Sequence, residues 1–136
     1  MANSILADTG PLYALVDQRD QYHPQAVLAQ KTIAQNGIQV IIPYPILCEC
    51  YTLILYRFGN SVVTQWLQQI NACAGLINPT VTDYMDAQPL LKKYSDQRIS
   101  YFDALLAALS QKLELSIWTF DKHFEIMRCN RFSGGA

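Results

Sequence analysis

Charge is scarce in this chain of 136 residues: 15% is charged, and ten Lys and Arg stand against eleven Asp and Glu. A net charge of −1 excludes a protein that coats DNA non-specifically, because that task needs a basic excess. It leaves room for a nuclease, since a carboxylate site subtracts charge until its metal ions bind. Long apolar runs are missing as well. The longest candidate, Ile41 to Leu55, contains Glu49 and two prolines, short of the roughly 18 uninterrupted apolar residues of a membrane span. No basic segment leads into an apolar run at the N-terminus, so neither a signal peptide nor a membrane partner is expected. The four cysteines, Cys48, Cys50, Cys73 and Cys129, lack the paired spacing of a structural zinc site. Lying within or beside apolar segments, they read as small buried hydrophobes in a reduced, cytoplasmic setting. Repeats, low-complexity tracts and linkers are absent, which leaves one domain over residues 1–136 as the expectation.

What is present is apolar sequence, 51% of the chain, arranged in alternating periods. Short strand-like runs occur at Ser4–Asp8, Gln39–Ile42, Gly75–Asn78 and Ser116–Phe120. Between them, helical spacing is read over Leu12–Asp17, Tyr22–Gln35, Pro43 to about Phe58, Ser61–Ala72, Thr80–Tyr94 and Tyr101 to about Leu113. Gly59 suits a helix cap, and Pro89 is expected to bend or interrupt its helix. Strands that alternate with helices imply a mostly parallel sheet covered on both faces, a three-layer α/β/α sandwich.

Four of the eleven acids sit in unusual company. Asp8 follows Ile5-Leu6-Ala7, and Asp121 follows Ile117-Trp118-Thr119-Phe120. Glu49 lies inside Ile46-Leu47-Cys48-Glu49-Cys50-Tyr51. Asp103 stands between Tyr101-Phe102 and Ala104-Leu105-Leu106. An ionised carboxylate near a core costs several kcal/mol, by rough estimate, unless it is paired or bound to metal. Asp8 and Asp121 both fall at carboxyl ends of strands, where open α/β sheets place their ligands. No Lys or Arg lies within four residues of Glu49 or Asp103, so a divalent cation is the natural counter-charge. An all-oxygen cluster that retains waters suits Mg²⁺ or Mn²⁺. Such a site points to phosphodiester hydrolysis, in which a metal-bound water attacks phosphorus. Thr9 and Thr119 are placed to orient carboxylates, Asp96 is a fifth candidate acid, and Arg57 and Lys122 are candidates for phosphate contacts.

Each acid also has a local explanation. Asp8 could cap the helix near Pro11, Asp103 could form a capping box with Ser100, and Asp121 could cap the following turn. Glu49 caps nothing in mid-helix, and a distant partner such as Arg98 is its structural alternative. The tyrosines and tryptophans fall mostly at core spacing rather than on a base-stacking platform.

Taken in order, these segments resemble the PIN-domain family. Ile5-Leu6-Ala7-Asp8-Thr9-Gly10-Pro11-Leu12 is similar to its first-strand signature, and Pro45 through Glu49 to its second acidic motif. Tyr94-Ser95-Asp96 with Asp103-Ala104 resembles the third, and Thr119-Phe120-Asp121-Lys122-His123-Phe124 the fourth. The Asp20–His23 stretch is similar to a subgroup of PIN-domain toxins of bacterial toxin–antitoxin systems, the VapC type. The resemblance implies Mg²⁺- or Mn²⁺-dependent endoribonuclease activity, Asp8, Glu49, Asp103 and Asp121 as the acidic cluster, homodimerisation, and an antitoxin that blocks the site. The short tail departs from the family, reducing the usual last edge strand to Arg128–Phe132. Two competing functions remain: a small-molecule phosphate-ester hydrolase on the same acids, and a PIN-like binding module without catalysis.

Overall fold

The computed structural model describes residues 3–132. Five strands, β1 (Ser4–Ala7), β2 (Gln39–Pro43), β3 (Gly75–Ile77), β4 (Ile117–Trp118) and β5 (Arg131–Phe132), form one all-parallel sheet in the order β3-β2-β1-β4-β5. Ile5, Leu6 and Ala7 of the central strand are all buried, the continuous apolar run that a strand covered on both faces requires. The expected three-layer α/β/α sandwich is thus the fold observed.

The helices are α1 (Thr9–Val16), α2 (His23–Gln35), α3 (Tyr44–Phe58), α4 (Asn60–Cys73), α5 (Val81–Lys93), α6 (Tyr101–Leu113) and α7 (His123–Ile126). Gly59 ends α3 and starts α4 at φ +87°, a conformation that only glycine adopts cheaply. Pro89 does not interrupt α5, which is continuous from Val81 to Lys93. The carbonyl that loses its donor belongs to exposed Met85, so solvent can satisfy it and the usual penalty is small.

Two ends of the chain differ from expectation. β4 stops at Trp118 because Thr119 and Phe120 leave the ladder and turn into the loop. The edge strand occupies only Arg131–Phe132, because α7 closes with Arg128 at φ +62°. Arg128 N–H then donates to Glu125 O and Cys129 N–H to Phe124 O, the paired bonds of a Schellman stop. Residues 133–136 lie outside the described residues. The cysteines also divide: Cys50 and Cys129 are buried, whereas Cys48 and Cys73 are exposed.

Strand order places the site. The chain leaves β1 for β2 on one side and returns through α6 to lay β4 on the other. The crevice at the carboxyl ends of β1 and β4 is therefore a topological switch point, where open α/β sheets bind ligands. Asp8 N–H donates to Trp118 O at 3.0 Å, which ties the two strand ends together there.

Candidate active site

An open cavity of about 560 Å³ lies at this crevice, and Asp8, Thr9, Thr119, Phe120, Asp121 and Lys122 are among the residues lining it. Asp8 caps α1: its Oδ1 accepts from Thr9 N–H at 2.8 Å, and its Oδ2 accepts from the Thr119 hydroxyl at 2.7 Å. The Thr9 hydroxyl donates to Glu49 Oε1 at 2.5 Å, which brings the mid-helix acid of α3 to the first turn of α1. Asp121 N–H donates to Thr119 Oγ1 at 3.0 Å, and Asp121 Oδ1 accepts from His123 N–H at 2.9 Å. Glu49, Thr9, Asp8, Thr119 and Asp121 thus form one hydrogen-bonded chain, although its outermost members by number are 113 positions apart (8 to 121). His123 Nδ1 lies 2.8 Å from the same Asp121 oxygen but is not aligned as a hydrogen bond.

Asp103 stands in the first turn of α6, where its Oδ2 accepts from Ser100 N–H at 3.0 Å and its own N–H donates to Ser100 Oγ at 3.1 Å. The capping box is real even with the shorter acid. It does not remove Asp103 from the site, because Asp103 is close enough to Asp8 to help raise its pKa.

The electrostatics separate these acids from the rest. Asp8 keeps part of its surface open to the cavity, yet protein surrounds most of its carboxyl group, and this burial pushes its pKa up to about 7. The Thr119 and Thr9 hydrogen bonds oppose the rise, while the negative charges of Asp103 and Asp121 add to it. Asp103 is also raised, by burial first and by Asp121 among the smaller causes. Among the described residues, no Lys or Arg forms an ion pair with Asp8, Glu49, Asp103 or Asp121. Arg98, the alternative partner for Glu49, is exposed and makes no such pair.

The remaining candidates fall in different places. Lys122 is exposed at the cavity wall. Arg57 lies in the field of Tyr13 and Asp17; Asp17 caps the opposite end of α1 from Asp8, roughly two helical turns away. Asp96 is exposed, and its hydrogen bond is to neighbouring Gln97 at 3.3 Å.

Several cavity residues escaped the sequence reading. Asp20, Gln21 and Tyr22 form one wall, and the Tyr22 ring stacks on Phe120 at 4.6 Å between centroids and 11° between planes. An aromatic in the polar stretch Asp20-Gln21-Tyr22-His23 was the available signal. Its stacking partner is 98 positions away (22 to 120), so no local period could reveal the pair.

The sequence matches the PIN domain over residues 5–128. The chain belongs to the PIN-domain family. This PIN domain also shares its fold with solved structures. VapC20 of Mycobacterium tuberculosis, described as a sarcin–ricin-loop-cleaving toxin, superposes with a TM-score of 0.81 at 20% identity, over 94% of this chain and 98% of that one. VapBC2 of Rickettsia felis, solved on a DNA fragment from its promoter, gives 0.73 at 12% identity, over 94% and 96%. FitAcB of Neisseria gonorrhoeae gives 0.61 at 17% identity, over 94% and 96%. A search of curated proteins finds no significant match.

The residues of this PIN domain fit a divalent cation by the chemistry of their donors. Asp8 and Asp121 line the crevice, Glu49 is tied to Asp8 through Thr9, and Asp103 acts on Asp8 by its charge. None of the four pairs with Lys or Arg among the described residues, and Asp8 and Asp103 have raised pKa values. Each carboxylate accepts a hydrogen bond from a protein donor, and no three acid, His or Cys side chains among the described residues are set round one point.

Proposed function

We propose that this chain is a metal-dependent endoribonuclease that hydrolyses RNA phosphodiester bonds, the toxin of a toxin–antitoxin pair. The single observation that carries this reading is the linkage at the β1/β4 switch point of a PIN domain, where Asp8 is tied to Glu49 through Thr9 and to Asp121 through Thr119, Asp103 acts on Asp8 by its charge, and none of the four pairs with Lys or Arg among the described residues. Asp8, Glu49, Asp103 and Asp121 would hold Mg²⁺ or Mn²⁺. When bound, the cation supplies a water of lowered pKa and positive charge for the phosphate. The Thr119 hydroxyl orients Asp8, and the Thr9 hydroxyl orients Glu49. Lys122, exposed at the cavity wall, would meet a phosphate oxygen. Asp8, with its pKa about 7, ionises fully only above neutral pH, so cation binding competes with a proton there.

VapC20 is described as a toxin that cleaves the sarcin–ricin loop, and VapBC2 as an assembly on its own promoter DNA. These neighbours support a toxin role and a small antitoxin partner. An apolar cavity lined by Pro45, Val81, Tyr84, Tyr101, Phe102 and Leu105 supports association with a second copy or with the antitoxin, since surfaces of this kind mark interaction sites. No described helix is long and apolar enough to cross a membrane.

The test is cleavage of single-stranded RNA in Mg²⁺ or Mn²⁺ by the wild type and by Asp8→Asn. Cleavage that requires the metal and disappears in the variant is the expected result. Equal cleavage by both proteins would reject the assignment. Faster turnover of a phosphomonoester than of RNA would favour the small-molecule hydrolase, and no metal-linked shift in melting would favour the non-catalytic module.

A further inference from the structure

The acids account for one side of the cavity, and the aromatic wall beside them has no role in holding metal. Tyr22 is 36% exposed although its ring lies flat on Phe120. Leu53, 46% exposed, joins them in lining the cavity. The loop that carries Tyr22 is tightly built. Buried Asp17 accepts from the Tyr13 hydroxyl at 2.8 Å and from Arg19 N–H at 3.0 Å. Asp20 N–H donates to Asp17 O, Tyr22 N–H donates to Asp20 Oδ1 at 2.8 Å, and His23 Nδ1 lies 2.7 Å from Ala14 O. These bonds fix the segment from 17 to 23, and its product is a flat ring at the edge of an anionic pocket.

The pocket needs such a device. The whole chain has ten basic residues, and among the described residues Lys122 is the one basic side chain lining this cavity. Phosphate contacts therefore supply little affinity for a polyanion. Stacking on an aromatic face needs no charge and accepts any base, because every base has a π-face.

The geometry points to the Tyr22–Phe120 pair as a nucleobase seat, on which a base of single-stranded nucleic acid stacks next to the phosphate held at the acids. This assignment rests on the nuclease reading and adds how the substrate is gripped. Tyr22 is a binding residue in it, and Phe120 backs the ring and fixes its plane.

The experiment measures binding of a fluorescently labelled single-stranded RNA oligomer by anisotropy, with Ca²⁺ in place of Mg²⁺ or Mn²⁺ so that a cation is present at the acids while cleavage is suppressed, across a salt series. Wild type is compared with Tyr22→Phe, Tyr22→Leu and Tyr22→Ala, and thermal melting confirms that each is folded. Tyr22→Phe keeps a planar ring and should bind as wild type does. Tyr22→Leu keeps apolar bulk without the π-face and should bind roughly tenfold more weakly, as should Tyr22→Ala. The dependence of log Kd on log salt should be unchanged in all of them, since no phosphate contact is lost. Binding by folded Tyr22→Leu equal to wild type would overturn the seat, and so would an altered salt slope or a wild type that binds no RNA. Failure of the nuclease reading has a different signature: wild type then binds RNA with the Tyr22 dependence intact but leaves it uncut in Mn²⁺.

Discussion

Asp83 and Asp103 occupy the same local structure on two helices packed against each other, α5 and α6. Each is the third residue of its helix, and each completes a capping box, with Thr80 and with Ser100 respectively. Their electrostatic situations are opposite. Asp83 Oδ1 meets Lys112 Nζ at 2.8 Å, and this contact, followed by the Thr80 backbone, lowers its pKa. Asp103 has no such cation; burial raises its pKa, and Asp121 adds to the rise. Capping is therefore silent about purpose. The group across the helix boundary decides whether such an acid is paired within the fold or left without a cation.

The largest expected effect breaks the pair apart by function. Asp103→Asn should lower metal-dependent RNA cleavage by more than about a hundredfold, beyond what loss of an outer partner to a metal ligand costs. It should leave or raise the metal-free melting temperature, because a disfavoured charge is removed. Asp83→Asn should keep cleavage and lower the melting temperature. Rates and melts on both proteins check this, and a reversal of the two outcomes would end the distinction.

Next in size is Thr119→Val, which removes the hydroxyl on Asp8 Oδ2 at nearly constant volume. Cleavage should fall about 10- to 100-fold. Steady-state rates across a Mn²⁺ titration would show whether the loss lies in metal affinity.

On metal-free stability, rather than cleavage, pH separates the two kinds of acid, which pull in opposite directions. Asp8 has a folded pKa of about 7 against 3.8 in the unfolded chain, so its unfavourable contribution appears as pH rises from 3.8 towards 7. Asp83 has a lowered folded pKa, so its favourable contribution is present above 3.8 and is lost as pH falls through the folded value. Melting in EDTA should thus show Asp8→Asn flattening the decline between about pH 4 and 7, the interval between those two values. Asp83→Asn should flatten the acid limb instead.

The smallest effect tests the claim that the boxes themselves are equivalent. Ser100→Ala and Thr80→Ala should each cost about 1 kcal/mol, measured by urea denaturation. A much larger loss for one of them would show that its box carries more than a cap.

Much of the candidate site was legible because its signals are local. Asp8 and Asp121 declare themselves as acids ending apolar runs, and Glu49 as an acid inside one. The burial of Asp17 and Asp83 was not legible, since both lie in polar stretches; their partners, Tyr13 and Lys112, sit on faces that only packing reveals. Arg57 shares α3 with Glu49, and its charge acts on Tyr13, which lines the cavity, and on Asp17 at the end of α1. That neighbourhood joins residues about 40 positions apart (17 to 57), so no local pattern shows it.

The amino-acid order by itself determined the alternation of strands and helices and the family signature, and it singled out the four acids as candidates, since hydrophobic period and caps act over a few residues. The order of strands in the sheet, the Thr119 hydroxyl on Asp8, the lysine that claims Asp83 and the ring that Phe120 holds flat were decided only by the tertiary structure. Those contacts join residues tens of positions apart, and only the packing of the whole core selects which distant surfaces meet.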